Sequence, residues 1–271
     1  MATDVTSIEA GPASTAPEPP EPAPRASWPH RARFLVVYGT LGGVLAAALV
    51  GVVVYAGKSI NPAPSWSAWK PSGGGLGAAK QIADHVAASY RLPNGDQLVD
   101  VIVKAPSVSP ASSVTIPLHY IAFQGVKGSP SPIAISSSDS VMYSLCGLGA
   151  SCAIATGKPS VARGTLVRRE ILELALYTFK YVSGVNNVIA FMPPAAGAQA
   201  QYVVYLQRPD VASQLRVPLI KTLSPKVPLP ATISAGEVRT IDAVTEPRVY
   251  KFSLAQAQTG DAILVLAPLP A

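Results

Sequence analysis

One stretch of the chain is apolar without interruption. From Phe34 to Ala56 the sequence runs for 23 residues without a charged side chain. A helix rises ~1.5 Å per residue, so a run of this length covers about 34 Å and can cross the ~30 Å hydrocarbon core of a bilayer. The pattern predicts a single transmembrane helix over residues 34–56, with the lipid bilayer as its partner.

Basic residues around this run predict its direction. Arg25, Arg31 and Arg33 precede it with no intervening acid, whereas only Lys58 and Lys70 follow it closely. Because cytoplasmic flanks of membrane helices are enriched in Lys and Arg, the N-terminus is expected in the cytoplasm and the C-terminal part outside.

A cleaved signal peptide is the alternative to a retained anchor. Val54-Tyr55-Ala56 loosely resembles a small-x-small cleavage site after an apolar run. Signal peptides, however, have a short basic start and an apolar core of ~7–15 residues, and here a 33-residue tail precedes the apolar run. The lengths favour an uncleaved signal anchor.

The flanking segments have the composition of unstructured chain. Residues 1–33 contain a Pro-Glu-Pro-Pro-Glu-Pro core and few large apolar side chains, which predicts a disordered cytoplasmic tail. Residues 57–77 are rich in Pro, Ser and Gly, which predicts a flexible linker. Trp66 and Trp69 in that linker are of the type enriched in membrane interface layers.

Residues 78–271 show alternating helical and strand-like patterns. Helices are predicted from Ala78 to a turn at Pro93, over Thr165–Ser183 and over Pro209–Leu223. Strands are predicted at Gln97–Ala105, Val114–Gln124, Asn187–Met192, Ala200–Gln207, Arg248–Leu254 and Ala262–Ala267, the last two as a hairpin. Pro117 suggests an edge or a bulge in the second strand. We expect an α/β or α+β extracytoplasmic globular domain behind the transmembrane helix.

The segment Thr165–Ser183 has the strongest helical pattern of this domain. Thr165 is its expected N-cap and Gly184 its C-terminal stop. Arg169, Glu173 and Lys180 form a narrow polar stripe, and apolar residues cover the rest, as in a helix that packs on a sheet.

Composition argues against a nucleic-acid-binding protein. The formal charge is +6, but only 13% of residues are charged, and no arginine-rich block or basic stripe with interleaved aromatics occurs. The mild positive balance suits a domain near anionic lipid or cell-wall polymer.

Cys146 and Cys152 are the only cysteines, and they lie in the part expected outside the cell. A local disulfide is the leading interpretation, and closing so small a loop is worth about 2 kcal/mol in the chain-entropy model. A metal pair would need further ligands and a redox pair usually has C-x-x-C spacing; two buried free thiols are the alternative.

Catalytic and cofactor motifs are weak throughout. His85 falls on the polar face of the first helix, where solvation explains it, and His119 lies in a strand. The run Ser136–Asp139 lacks a nucleophile motif beside His119. Thr156–Ser160 departs from a phosphate-binding loop because Pro159 follows the lysine. Gly73–Gly77 follows no strand and is read as linker. No catalytic residue, cofactor or metal site is predicted.

Two patterned features remain as candidate interaction sites. Arg163, Arg168 and Arg169 cluster at the start of the long helix, where they are candidates for binding an anion, with pairing to carboxylates in the chain as the alternative. In the apolar run, small residues recur every fourth position on one helix face and predict helix pairing, either self-association or with a partner membrane protein: Gly39, Gly43, Ala47 and Gly51.

The resulting functional expectation is broad. The sequence favours a bacterial plasma-membrane protein whose outer domain binds or scaffolds envelope components, without catalysis. The bacterial assignment rests on Ala, Pro, Val and Gly usage, few Asn residues and no N-x-[ST] acceptor. The alternative is an envelope enzyme, such as a hydrolase, whose catalytic residues the sequence does not reveal.

Overall fold

A computed structural model describes residues 30–57, 65–111, 114–124 and 133–269. The chain divides into two compact units, Met1–Pro62 and Ala63–Ala271. Residues 1–29 of the predicted tail and residues 58–64 of the predicted linker lie outside the described ranges.

The first unit contains one long apolar helix, α1 (His30–Gly57). Its segment Phe34–Val52 has a mean hydropathy of 2.1, and its side chains are exposed among the residues that the structure describes. The hydroxyl of Thr40 donates back to the carbonyls of Val36 and Val37, so this polar group is satisfied within the helix. In length and composition α1 could span a membrane, as the sequence predicts.

The second unit is a mixed α/β fold built on one large sheet. Eight strands follow the order β1-β5-β6-β7-β8-β9-β3-β2, and β4 pairs with β3 alongside them. The strands are β1 (Asp100–Lys104), β2 (Ser107–Ala111), β3 (Val114–Phe123), β4 (Ile133–Ser136), β5 (Ser140–Cys146), β6 (Asn187–Phe191), β7 (Tyr202–Gln207), β8 (Val249–Gln256) and β9 (Ala262–Pro268). The pairs β5–β6 and β3–β9 are parallel and the others antiparallel.

In the described part of this unit, the α-helices that accompany the sheet are α2 (Gly75–Ala87), α3 (Val161–Tyr181), α4 (Ala212–Arg216) and α5 (Ala235–Thr245). The hydroxyl oxygen of Ser160 accepts a hydrogen bond from the Arg163 amide and caps α3. The predicted N-cap, Thr165, is therefore wrong, and it lies buried inside the helix. Gly184 follows the end of α3 with φ of +76°, a conformation that favours glycine.

The helices bury one face of the sheet. Side chains from α2, α3 and α5 and from strands β1, β5, β6 and β7 form the larger core, with Ile82, Leu172, Phe179, Val188 and Ile241 at its centre. This core explains the alternation of apolar residues in the strands, because successive side chains point to opposite faces.

The other face of the sheet is buried by its own curvature. Phe123 of β3 contacts Tyr205 of β7, with ring centroids 5.2 Å apart, and Phe191 of β6 contacts Phe252 of β8 at 4.8 Å. Since β8 and β9 lie between β7 and β3, and neighbouring strands are ~4.8 Å apart, a flat sheet could not bring the first pair together. The sheet therefore curls around a second, smaller apolar core.

Several predicted elements agree with the structure and others do not. The strand predictions for β3, β6 and β7 and the β8–β9 hairpin are confirmed, and the register of β3 shifts between Leu118 and Tyr120, beside Pro117. The helix predicted over Pro209–Leu223 is wrong, because Pro218 interrupts it and only α4 with short 3-10 turns forms. Strands β2, β4 and β5 and helix α5 were missed.

The C-terminal half of the predicted linker belongs to the folded domain. Trp66 is 9% exposed and packs edge-on against Tyr177 and Tyr181 of α3, at centroid distances of 5.5 and 5.8 Å. The backbone amide of Ser72 donates a hydrogen bond to the side-chain oxygen of Gln81 in α2. The expectations of a flexible linker reaching residue 77 and of Trp66 in a membrane interface layer are therefore wrong.

Helix pairing through the small-residue stripe stays a prediction. It can be tested by comparing a substitution on the stripe with one beside it. A Cβ added at Gly43, on the stripe, or at Gly42, beside it, would meet no atom within 4 Å. The Cβ of a larger residue at either position therefore has open space in the described structure. We expect Gly43→Ile to weaken self-association in a membrane two-hybrid assay and Gly42→Ile to leave it unchanged. An unchanged signal for Gly43→Ile would remove the dimer hypothesis.

Candidate functional site

A buried arginine on α3 connects the elements around the candidate site. The side chain of Arg169 is fully buried, and its Nε donates to Oε1 of Glu237 on α5 at 2.7 Å. Its Nη1 donates to Oε2 of Glu173 at 3.1 Å and to the hydroxyl of Tyr90, and its Nη2 donates to the Ser224 carbonyl at 2.7 Å. These bonds compensate most of the desolvation cost of the guanidinium.

Glu173 lies one turn further along α3, between this cluster and a cavity. Its Oε2 accepts the Arg169 bond and a 2.6 Å bond from the Tyr90 hydroxyl. Burial raises the pKa of the Glu173 carboxyl, and the charge of Arg169 opposes that rise. In the described part of the chain, no hydrogen bond reaches its other oxygen, Oε1.

Glu170, next to Arg169 in sequence, is buried without hydrogen bonds to either carboxyl oxygen from the residues that the structure describes. Burial raises the pKa of Glu170 well above its ordinary value, and the neighbouring Glu173 raises it further. The protonated, neutral form is therefore favoured, since an unpaired buried carboxylate would be far more costly.

The cavity beside Glu173 has a volume of about 250 Å³. Its aromatic wall consists of Trp69, His85 and Tyr177. The rings of Trp69 and His85 are stacked 3.9 Å apart, and Tyr177 meets Trp69 edge-on at 5.5 Å. A further part of the lining comes from the segment 219–227, through Leu219, Ile220, Leu223, Ser224, Pro225 and Val227.

Polar groups complete this cavity, which we call the aromatic pocket. The hydroxyls of Ser67 and Tyr177 share a 2.6 Å hydrogen bond, and Ser89 lies at the rim. Burial lowers the pKa of His85, so this ring is neutral at pH 7. Glu173 is the one acidic side chain among the described residues that line the pocket, and none of those residues is Lys or Arg.

The three arginines predicted as an anion site have separate partners. Arg163 donates to the Thr156 carbonyl at 2.8 Å, beside a different cavity of about 180 Å³. Arg168 pairs with Asp242 of α5 at 2.7 Å, and Arg169 belongs to the buried cluster. Pairing with carboxylates, the alternative drawn from the sequence, accounts for Arg168 and Arg169. Of the predicted polar stripe, Arg169 is buried, Glu173 is partly buried and Lys180 is exposed.

The disulfide between Cys146 and Cys152 is present. The loop it closes is tight: the Gly147 amide donates to the Cys152 carbonyl at 2.8 Å, and a Cβ at Gly147 would overlap the backbone of Ala153. The glycine is therefore required by close backbone approach.

His119 and the serine run do not assemble a triad. His119 Nδ1 lies 3.0 Å from Asp261, and Asp139 accepts a 2.7 Å hydrogen bond from Asn187. Ser136, Ser138 and Asp139 line a cavity of about 500 Å³ that His119 does not line. Within the described residues, no group of three His, Cys, Asp or Glu side chains is placed to hold a metal ion.

Comparisons with known protein families, with characterised proteins and with solved structures find no match for this chain. Its own geometry must therefore identify the site.

The sequence did not single out the aromatic pocket. Trp69 fell in the predicted linker, His85 was assigned to solvent, and Glu173 was placed in a polar stripe. One signal was present: two tryptophans, Trp66 and Trp69, stand in a segment otherwise rich in Pro, Ser and Gly. Large aromatic residues in such a segment indicate packing on a folded surface.

The buried Glu170 predicts an unusual dependence of stability on pH. Its pKa is raised in the folded state, so the folded chain binds more protons than the unfolded one above the unfolded pKa of about 4.3. The contribution of Glu170 to the free energy of unfolding is therefore most favourable at low pH. It is lost as pH rises from the unfolded pKa to the higher folded pKa. We expect Glu170→Gln to make the unfolding free energy fall less steeply with pH, by at most about 1.4 kcal/mol per pH unit, the limit for one titrating group.

The measurement is urea denaturation of the detergent-solubilised full chain between pH 5 and pH 8. The exposed Glu246 offers a matched control, because Glu246→Gln removes a carboxyl that is not buried. Parallel stability curves for wild type and Glu170→Gln would contradict the assignment of a buried neutral acid.

Proposed function

We propose that the chain is a membrane-anchored binding or scaffolding protein of the bacterial cell envelope, and that the aromatic pocket is its ligand site. In this proposal α1 crosses the plasma membrane once, with the N-terminus in the cytoplasm, and residues 63–271 lie on the extracytoplasmic side. The apolar helix and the disulfide support this placement, since disulfides persist in oxidising compartments. The basic residues before the helix support the direction.

The observation that carries the binding function is the aromatic pocket itself. Aromatic walls with a few fixed polar groups are typical of small-ligand sites, because apolar faces supply contact area and polar atoms supply orientation. Here the aromatic groups are held on a rigid frame: His85 on α2, Tyr177 on α3, and Trp69 by stacking on His85. Envelope polymers present sugar rings and peptide side chains that suit such walls.

The arrangement favours binding over glycoside hydrolysis, the reaction that cleaves wall polysaccharide. Hydrolysis of this type needs two carboxyl groups about 5–9.5 Å apart across the scissile bond. Among the described lining residues Glu173 is the one carboxyl. Ser67 is hydrogen-bonded to Tyr177 rather than to a base, and His85 stacks on Trp69.

The proposed topology predicts protease sensitivity from one side only. Protease added to intact spheroplasts should degrade the folded domain and leave α1 protected, because the domain lies outside the membrane. In acid-quenched samples the two cysteines should react with maleimide-PEG only after reduction. A domain that resists protease until the membrane is lysed, with cysteines that react without reduction, would contradict the proposal.

Ligand binding in the aromatic pocket predicts a stabilisation that a rim substitution abolishes. Soluble fragments from an enzymatic digest of bacterial cell wall should raise the melting temperature of the full chain in detergent. A ligand at 100 times its Kd stabilises the folded state by about 2.7 kcal/mol. Ser89 is exposed at the rim, so we expect Ser89→Trp to fill the pocket without disturbing the core and to remove the shift.

Ala88→Trp is the matched control, because Ala88 is equally exposed and does not line the pocket. It should keep the wild-type shift. If Ser89→Trp and wild type respond equally to the fragments, the aromatic pocket is not the binding site.

A further inference from the structure

The charges around Arg169 do not balance. One guanidinium serves two carboxyl groups, Glu173 on its own helix and Glu237 on α5. The side chains are 0%, 15% and 8% exposed respectively, so water screens them little. When ionised, these three groups carry one surplus negative charge.

In the aromatic pocket, the carboxyl oxygen that this surplus charge leaves for a ligand is Oε1 of Glu173. Both protein donors to this carboxyl, Tyr90 and Arg169, bond to Oε2. Oε1 has no donor within the described chain, and Glu173 lines the aromatic pocket. Glu237 also accepts both of its bonds on one oxygen, Oε1, from Arg169 and from the Ser224 amide at 3.0 Å, but it lines a different cavity. Oε1 of Glu173 can therefore accept a hydrogen bond from a ligand in the aromatic pocket.

The remaining wall suits a positive group. Aromatic rings attract cations through the negative potential above each face. His85 covers one face of Trp69, and Tyr177 stands beside Trp69 in the same wall. The lining contains no Lys or Arg to repel a cation, and the lowered pKa of His85 keeps that ring neutral at pH 7. An anion would face Glu173 with no compensating charge in the lining.

We propose that the aromatic pocket binds an organic ammonium group, which donates to Oε1 of Glu173 and packs against Trp69 and Tyr177. This inference rests on the proposed binding function and specifies the class of ligand. Primary amines of amino sugars and of peptide side chains have the required chemistry.

Three probes of the same size separate charge from shape: benzylamine, benzyl alcohol and benzoate. Each is titrated against the full chain in detergent and followed by ligand-observed NMR. Benzylamine should bind about ten-fold more tightly than benzyl alcohol, and benzoate more weakly than either. Glu173→Gln should lower the affinity for benzylamine to that for benzyl alcohol. Glu246→Gln, at an exposed position, should change neither affinity.

A second variant keeps the test valid if Glu173→Gln folds poorly. Ser89→Lys places a positive charge at the exposed rim without touching the core. Ser89→Lys should weaken the binding of benzylamine about ten-fold and strengthen the binding of benzoate. Ala88→Lys, outside the lining, should leave the affinities for all three probes unchanged.

Two different failures are distinguishable. Equal or tighter binding of benzyl alcohol or benzoate, still abolished by Ser89→Trp, overturns the ammonium inference and keeps the pocket as a ligand site. Binding of none of the probes, together with no response to wall fragments, overturns both the inference and the proposed function.

Discussion

The guanidinium of Arg169 is the contact on which the arrangement of the folded domain depends. It joins α3 to α5 through Glu237, to the segment after α2 through Tyr90, and to the chain at Ser224 through a backbone carbonyl. A charge buried this completely is tolerated only when its donors are used, because an unpaired one costs several kcal/mol. The helices and the loop must therefore pack in one relative position for the arginine to be accommodated.

The aromatic pocket is a consequence of that packing. Segment 219–227 forms one wall, and Ser224 within it is fixed by both Arg169 and Glu237. The other wall stands on α2 and α3, which are held by the larger apolar core. Because the walls come from elements that share one buried ionic network, the shape of the pocket and the stability of the domain are coupled.

Local patterns predicted the elements that local interactions determine. The apolar run of α1, the central part of α3 and the β8–β9 hairpin follow from length, periodicity and turn residues. Strand β5 was missed because it is buried on both faces and lacks the alternation expected of a half-exposed strand. The curl of the sheet depends on contacts between strands far apart in sequence, which no local window contains.

The candidate site was harder to predict for a related reason. A polar stripe on a helix has the same period whether it faces water or a buried network. The ion pair with Glu237 places Arg169 in a buried network, but Glu237 lies 68 residues away in sequence, so no local signal connects the two. Likewise, the packing of Trp66 and Trp69 is visible only once α3 presents Tyr177 and Tyr181 to them.

The position of Trp66 and Trp69 also has a mechanical consequence. These residues are near the point where the described chain enters the domain, and Trp69 is at the same time part of the pocket wall. Tension applied to the preceding segment would load the two aromatic contacts before any strand of the sheet. Stretching the attachment of the domain would then deform the pocket first, so that ligand occupancy and mechanical load would act on the same few side chains.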